Sequence, residues 1–355
     1  MYLFKILLWP FLNFYNLLTY DWTEPVPKAF IKPYKNLKDN VTSCIGALRA
    51  FGLAYGAIYY VSPMIQPKGI YPAFDKHIAR TFEFGWILPI VFRNLVATAV
   101  IAGGWDYTLH FSPFKKLFQP FKFNPKYATR EQIKHDMFWT FIGTVMGSLV
   151  EILYLYALAN ELVPSVVEMN LFHPNYIYTN AIWILFISHW RLAHFYVIHR
   201  LIHPWKTKSI PDIGKWLYKH VHSLHHKSNN PTAFSGTSMH PVESFLYYSA
   251  CYCALPFGLH PCIVIGCLVD CAVGAWLGHD GFQSPGAGDY FHYLHHAHFD
   301  CNYGATHVPF DYLFGTFVGE KKHLNKVWKG KKKGSYGLEG NSSFSIHEEE
   351  KKKEA

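Results

Sequence analysis

The chain has 355 residues, half of them hydrophobic, 18% aromatic and only 16% charged, where an ordinary soluble domain carries roughly a quarter charged residues. That balance excludes disorder. Because the apolar residues are gathered into runs, it also excludes an ordinary soluble enzyme. Lys and Arg number 33 against 24 Asp and Glu, a net charge of +9. The basic residues are scattered over loops and tail with no basic helix and no nucleic-acid motif, so an anionic membrane surface is the expected partner and nucleic acid is not. The 22 histidines nearly match the acidic residues in number, and this excess needs its own explanation.

Residues 1–20 are rich in aromatic and apolar side chains with one lysine, and no small-residue cleavage site follows. Residues 2–19 are expected to form an interfacial helix that stays on the protein. Residues 25–43 read as a polar loop. Four apolar runs follow, at about 44–65, 82–104, 137–159 and 177–198, each near the ~20 residues that cross a bilayer. A fifth region, 242–278, is apolar but broken at Pro256, Gly258 and Pro261, the pattern of a helical hairpin. The expected fold is all-α: a polytopic membrane bundle of four long spans plus a hairpin, with a cytosolic histidine-rich cap.

Loop charges set the orientation. The loop 105–136 carries Lys115, Lys116, Lys122, Lys126, Arg130 and Lys134, whereas 160–176 has no Lys or Arg. The first loop is therefore expected in the cytosol and the second in the lumen. Both termini, 199–241 and 279–355 then share the cytosolic side. Asn40 and Asn341, each in a glycosylation pattern, are expected to be unmodified there. The expected units are 1–43, an interfacial helix and loop; 44–136, a transmembrane pair with a basic loop; 137–319, a catalytic region; and 320–355, a Lys-, Gly- and Glu-rich tail. Five of the seven cysteines (Cys251, Cys253, Cys262, Cys267, Cys271) lie in one apolar stretch without a Cys-x-x-Cys pair, and are expected to be buried free thiols.

Sixteen histidines fall between His189 and His307. His199 and His203 are spaced i, i+4. His222, His225 and His226 are spaced i, i+3, i+4, and His292, His295 and His296 repeat that spacing. Such positions share a helix face. His240 (in His240-Pro241-Val242-Glu243) and His279 stand singly. Neutral imidazole suits iron, zinc, copper or nickel. A structural zinc site is four-coordinate and usually thiolate-bearing, and the protease pattern His-Glu-x-x-His is missing. What remains is a dinuclear all-nitrogen site suited to iron and oxygen activation, which zinc can occupy adventitiously. His189, His194, His220, His298 and His307 are candidates for supporting the ligands; the other histidines read as ordinary.

The clusters resemble the fatty acid hydroxylase/sterol desaturase superfamily of membrane-bound di-iron enzymes. Besides the histidine boxes, Asn302-Tyr303-Gly304 and Asp311-Tyr-Leu-Phe-Gly315-Thr316 carry the likeness, and the His-Pro-x-Glu and Asn-Tyr-Gly elements look more like its sterol-type branch. The resemblance implies metal ligands at His199, His203, His222, His225, His226, His240, His279, His292, His295 and His296, with no catalytic side chain beyond the metal centre. It implies oxidation of a lipid, a sterol or squalene ahead of a fatty acyl, sphingolipid or aldehyde substrate. Electrons would come from NAD(P)H through a reductase and cytochrome b5, since the chain has no dinucleotide fingerprint and no His-Pro-Gly-Gly haem element. In contrast to many members, no acidic residue lies between Ile184 and His199. A metal-binding membrane protein without catalysis is the reading from another class. Lys352 and Lys353 near the C-terminus resemble a dilysine retrieval signal, which implies the endoplasmic reticulum membrane.

Overall fold

The computed structural model describes residues 51–56, 60, 64, 75–119, 122, 126–164, 173–206, 210–282, 288–305, 308 and 310–317. The N-terminal interfacial helix, most of the run 44–65, both glycosylation patterns and the dilysine-bearing tail lie outside them. Among the described residues there is no strand, only an isolated bridge between Lys122 and Phe282.

Seven helices carry the architecture: α1 (Phe84–Asp106), α2 (Arg130–Ala159), α3 (Ile177–Leu201), α4 (Ile213–His220), α5 (Pro241–Tyr248), α6 (Pro261–Gly278) and α7 (Gly288–His298). Four are long and apolar enough to cross a membrane: α1 with its π-helical extension to Phe111, α2, α3 and α6. The protein is an all-α polytopic membrane protein. Phe84, Leu88, Phe92, Val96 and Val100 recur every four residues along α1 and are all exposed, a stripe suited to lipid. The inner faces bury Trp86, Ile90, Leu155, Ile187 and Ile263.

The expected hairpin forms, with unequal arms. The first is α5 followed by a 3-10 stretch, Ser249–Phe257; Gly258 then turns with φ of +59°, and α6 starts at Pro261. Proline is favourable at a first helical position because it lacks an N–H that would be unsatisfied there. Cys251, Cys253, Cys262, Cys267 and Cys271 are free thiols in this hairpin, all but Cys253 fully buried, as the apolar setting implies.

Two carboxylates on the ends of the spans hold the 228–238 turn. Asp106, the last residue of α1, accepts the Ala233 N–H at 2.6 Å. Asp136, in the second turn of α2, accepts the hydroxyls of Ser228, Ser235 and Ser238 at 2.7, 2.8 and 3.1 Å. Gly236 in this turn lies so close to α6 that a Cβ would stand 2.2 Å from the Ala275 carbonyl. The turn is thus fixed between α1, α2 and α6, directly above the membrane base.

Candidate metal centre

Nine imidazoles converge above the spans in two groups. His199, His203, His222, His226 and His295 form the first; His225, His279, His292 and His296 form the second, with the offered nitrogens of each group within 4.8 Å of one another. Each His-x2-His-His cassette serves both. His222 and His226 enter the first group and His225 the second, while His295 enters the first and His292 and His296 the second. The groups share a wall, with the His226 and His296 ring centroids 4.8 Å apart.

Five rings are oriented from behind. The Nδ1 of His199 lies 2.6 Å from the Tyr303 carbonyl, that of His279 2.7 Å from Ala275 and that of His295 2.7 Å from Cys301. His225 Nδ1 is 3.3 Å from the Ser238 carbonyl, and His222 Nδ1 is 2.7 Å from Glu243 Oε1. Carbonyls and carboxylates only accept, so in each ring Nδ1 carries the proton and Nε2 presents a lone pair inward. Such partners fix ring orientation and raise ligand basicity.

The inward nitrogens then face one another. His222 Nε2 lies 3.1 Å from His199 Nε2 and 3.0 Å from His226 Nε2; His279 Nε2 lies 3.2 Å from His225 Nε2 and 3.1 Å from His296 Nε2. His199, His222, His225 and His279 carry their protons on Nδ1, so the His222–His199 and His279–His225 contacts are no hydrogen bonds, and two bare lone pairs repel. Nitrogens bound at ~2.1 Å to one ion and at right angles stand ~3.0 Å apart, so the spacing is that of neighbouring ligands on a metal. His203 adds a fully buried ring with neither nitrogen partnered, and His292 Nε2 is also buried without a partner. Orphaned buried nitrogens are costly unless something outside the chain satisfies them. Burial keeps the rings neutral, as ligands must be: it pushes the His222 and His295 imidazoliums down to about 3 and His225 down to about 4. The donor set fits two divalent transition-metal ions.

Local sequence explains the rear supports. Asn302 takes a left-handed conformation, φ of +55°, and its side-chain amide donates to the Phe291 carbonyl at 3.0 Å. Asp311 accepts the Tyr303 and Gly304 N–H groups at 2.8 and 2.7 Å and the Thr316 hydroxyl at 2.6 Å. A Cβ on Gly304 would stand 2.9 Å from Asp311 Oδ2. The Asn-Tyr-Gly element and the closing Asp311…Thr316 segment are therefore halves of one clasp, which points the Tyr303 carbonyl at His199.

His240, expected as a tenth ligand, belongs to neither group. It is the N-cap of α5, and its Nδ1 accepts the Val242 N–H at 3.2 Å. A histidine directly before a first-turn proline is placed to cap, and this competing role accounts for the difference. Its neighbour Glu243 instead reaches the cage through His222. Its place as one of only two carboxylates in the apolar hairpin, with Asp270, was the available signal for it. Of the histidines expected to support the ligands, His189 bonds back to its own helix at Leu185 and His194 contacts Ser249, both away from the cage.

Residues 181–316 match the model of the fatty acid hydroxylase family. This region belongs to that family. Rat (Rattus norvegicus) lathosterol oxidase is 35% identical over 131 residues, covering 34% of this chain and 40% of its own length. A methylsterol monooxygenase of Gallus gallus is 26% identical over 147 residues, 38% of this chain and 46% of its own. A very-long-chain aldehyde decarbonylase of Oryza sativa is 28% identical over 147 residues, 38% of this chain and 54% of its own. The chain thus spans about half or less of the length of these curated relatives. No solved structure matches it. The fatty acid hydroxylase region contains every residue of both histidine groups, and sterol-acting relatives among the matches agree with the sterol-type branch.

Proposed function

We propose that this protein is an oxygen-dependent di-iron oxidoreductase of the endoplasmic reticulum membrane that oxidises a sterol-pathway lipid. The observation that carries the reading is the pair of buried histidine groups, in each of which two Nε2 lone pairs face each other without a proton between them. The nine histidines would hold the metal. Iron bound there supplies oxygen activation, and with it attack on an unactivated carbon–hydrogen or double bond.

The chain's own part is preparation. Burial keeps the imidazoles neutral, the carbonyls of Tyr303, Ala275, Cys301 and Ser238 fix their tautomers, and Glu243 holds His222. Electrons reach the cage from NAD(P)H through a reductase and cytochrome b5, which dock on the basic cytosolic face; loop charge supports cytosolic termini. Residues 137–319 form the catalytic unit, with 1–43, 44–136 and 320–355 as anchor, membrane pair and tail.

Metal analysis and oxygen consumption of the purified protein with reductase, cytochrome b5 and lipid test this. About two irons per chain, one for each histidine group, and lipid-dependent oxygen uptake are expected. A His225→Ala/His226→Ala variant that retains metal and turnover would overturn the assignment. Similarity to an aldehyde decarbonylase favours a second substrate reading, a long acyl chain. Lipid profiles of cells with and without the protein separate the two, because only one lipid class accumulates.

A further inference from the structure

A cavity of about 660 Å³ lies between α1, α2, α6 and residues Gly52, Leu53, Gly56 and Tyr60 of the membrane base, and opens toward lipid at Phe92, Val96 and Val100. Its α6 wall is Ile265, Leu268, Val269, Ala272, Val273 and Trp276, a run of roughly 15 Å at the helical rise per residue. Trp276 lines the end nearer the cap, three residues before His279. The opposite end holds a polar group. Arg93 and Glu151 form a buried ion pair, with the guanidinium 2.7 Å from Glu151 Oε1. Asn94 donates to Glu151 Oε2 and to the Ser148 hydroxyl, both at 3.0 Å. All four residues line the cavity.

Charges in the middle of a span are expensive and face interior cavities that handle polar cargo. A second pair shows what a purely structural solution looks like. Arg191 Nε bonds Asp270 Oδ2 at 2.7 Å, and Gly274 leaves room for the guanidinium, which a Cβ would approach to 3.1 Å. That pair fills its space and does not line the cavity. The Arg93–Glu151 pair opens onto it.

We propose that this cavity binds the substrate as a compact lipid alcohol, with its hydroxyl at Arg93, Asn94 and Glu151 and its opposite end under Trp276. The proposal rests on the oxidase reading above and adds the substrate's class and direction. A hydroxyl matches the polar end because it both donates to a carboxylate and accepts from an amide or guanidinium. A pocket that is otherwise apolar, with a few placed polar groups, suits a rigid hydrophobic body. The oxidised carbon is then remote from the hydroxyl.

The test uses the full-length holoenzyme in phosphatidylcholine nanodiscs, photolabelled with a diazirine analogue of cholestanol and mapped by mass spectrometry. Label is expected on residues of α1 and α6 that line the cavity. Cholestanol should compete at least about 10-fold better than cholestane, the same rings without the hydroxyl, as hydrogen bonds to charged groups imply. Ala97→Phe, which fills the cavity from α1, should abolish labelling while iron content stays unchanged. Arg93→Leu/Glu151→Leu, which removes both charges together, should make the two competitors equal. Label elsewhere, equal competition in the parent protein, or undiminished label in Ala97→Phe would overturn the site. A turnover product altered beside its hydroxyl carbon would overturn the orientation. Oxygen consumption is read on the same samples: labelling without consumption sinks the oxidase reading and leaves the site, while consumption with an unlabelled cavity sinks the site alone.

Discussion

The cap and the membrane base treat buried polar groups in opposite ways. In the base, each buried charge has its complement within the chain, Arg93 with Glu151 and Arg191 with Asp270. In the cap, nine imidazoles converge, the Nε2 lone pairs of His199 and His222 and of His225 and His279 meet, and His203 has neither nitrogen satisfied. The base is electrostatically complete as folded, whereas the cap leaves buried imidazole nitrogens that nothing in the described chain satisfies.

Removing one side chain on each side of this contrast should have unlike consequences. The largest effect is expected for His295→Ala. It deletes a ligand of the first group and frees the Cys301 carbonyl, so metal content should fall to background while the helical circular dichroism persists; full metal retention would break the contrast. Next is Arg191→Met, which strands Asp270 in the base and should cost about 3–5 kcal/mol. The companion Arg191→Met/Asp270→Leu should recover most of that loss in thermal unfolding in detergent, and equal destabilisation by both variants would count against a closed pair. Glu243→Gln keeps the shape but weakens the orientation of His222. Metal affinity should drop about 10- to 100-fold, measured by chelator competition, with little change in stability of the metal-free protein.

The smallest expected effect is on pH. Burial lowers the His225 imidazolium to about 4 from its ordinary 6.5. The folded state thus disfavours the proton, and the neutral ligand form is present above pH 6.5 and lost only as pH falls through 4. Metal loading should therefore hardly change between pH 8 and 6 and collapse near pH 4. Half-loss already at pH 6.5 would show that the rings titrate like exposed histidines.

The two regions were also unequally legible. Eight of the nine clustered histidines could be read from spacing, because i, i+3 and i+4 positions repeat in the chain wherever a helix must present several side chains together, whereas His279 stood singly and entered through the family resemblance. The rear supports could not be read, since four of the five are backbone carbonyls, and one, Tyr303, meets a histidine 104 residues away. His240 lies apart from both groups as the N-cap of α5, a role that histidine can take as well as that of a ligand. The hairpin break was visible in Pro256, Gly258 and Pro261, whereas the 3-10 form of its first arm leaves no such mark. Arg93 and Glu151 stood in view as charges inside apolar runs, but only the packing of α1 on α2 showed that they pair beside a cavity.

The cassettes that straddle both histidine groups have a consequence for how the protein is made. The first group needs residues from His199 to His295 and the second from His225 to His296. Neither binding site exists in any shorter piece of chain, and both close within one residue of each other. During synthesis the nascent protein must insert α3 and α6, emerge past α7 and fold back before it can retain a single ion. Any ion that the two groups hold can thus be retained only after α7 has emerged, and a product truncated before His295 contains neither group complete.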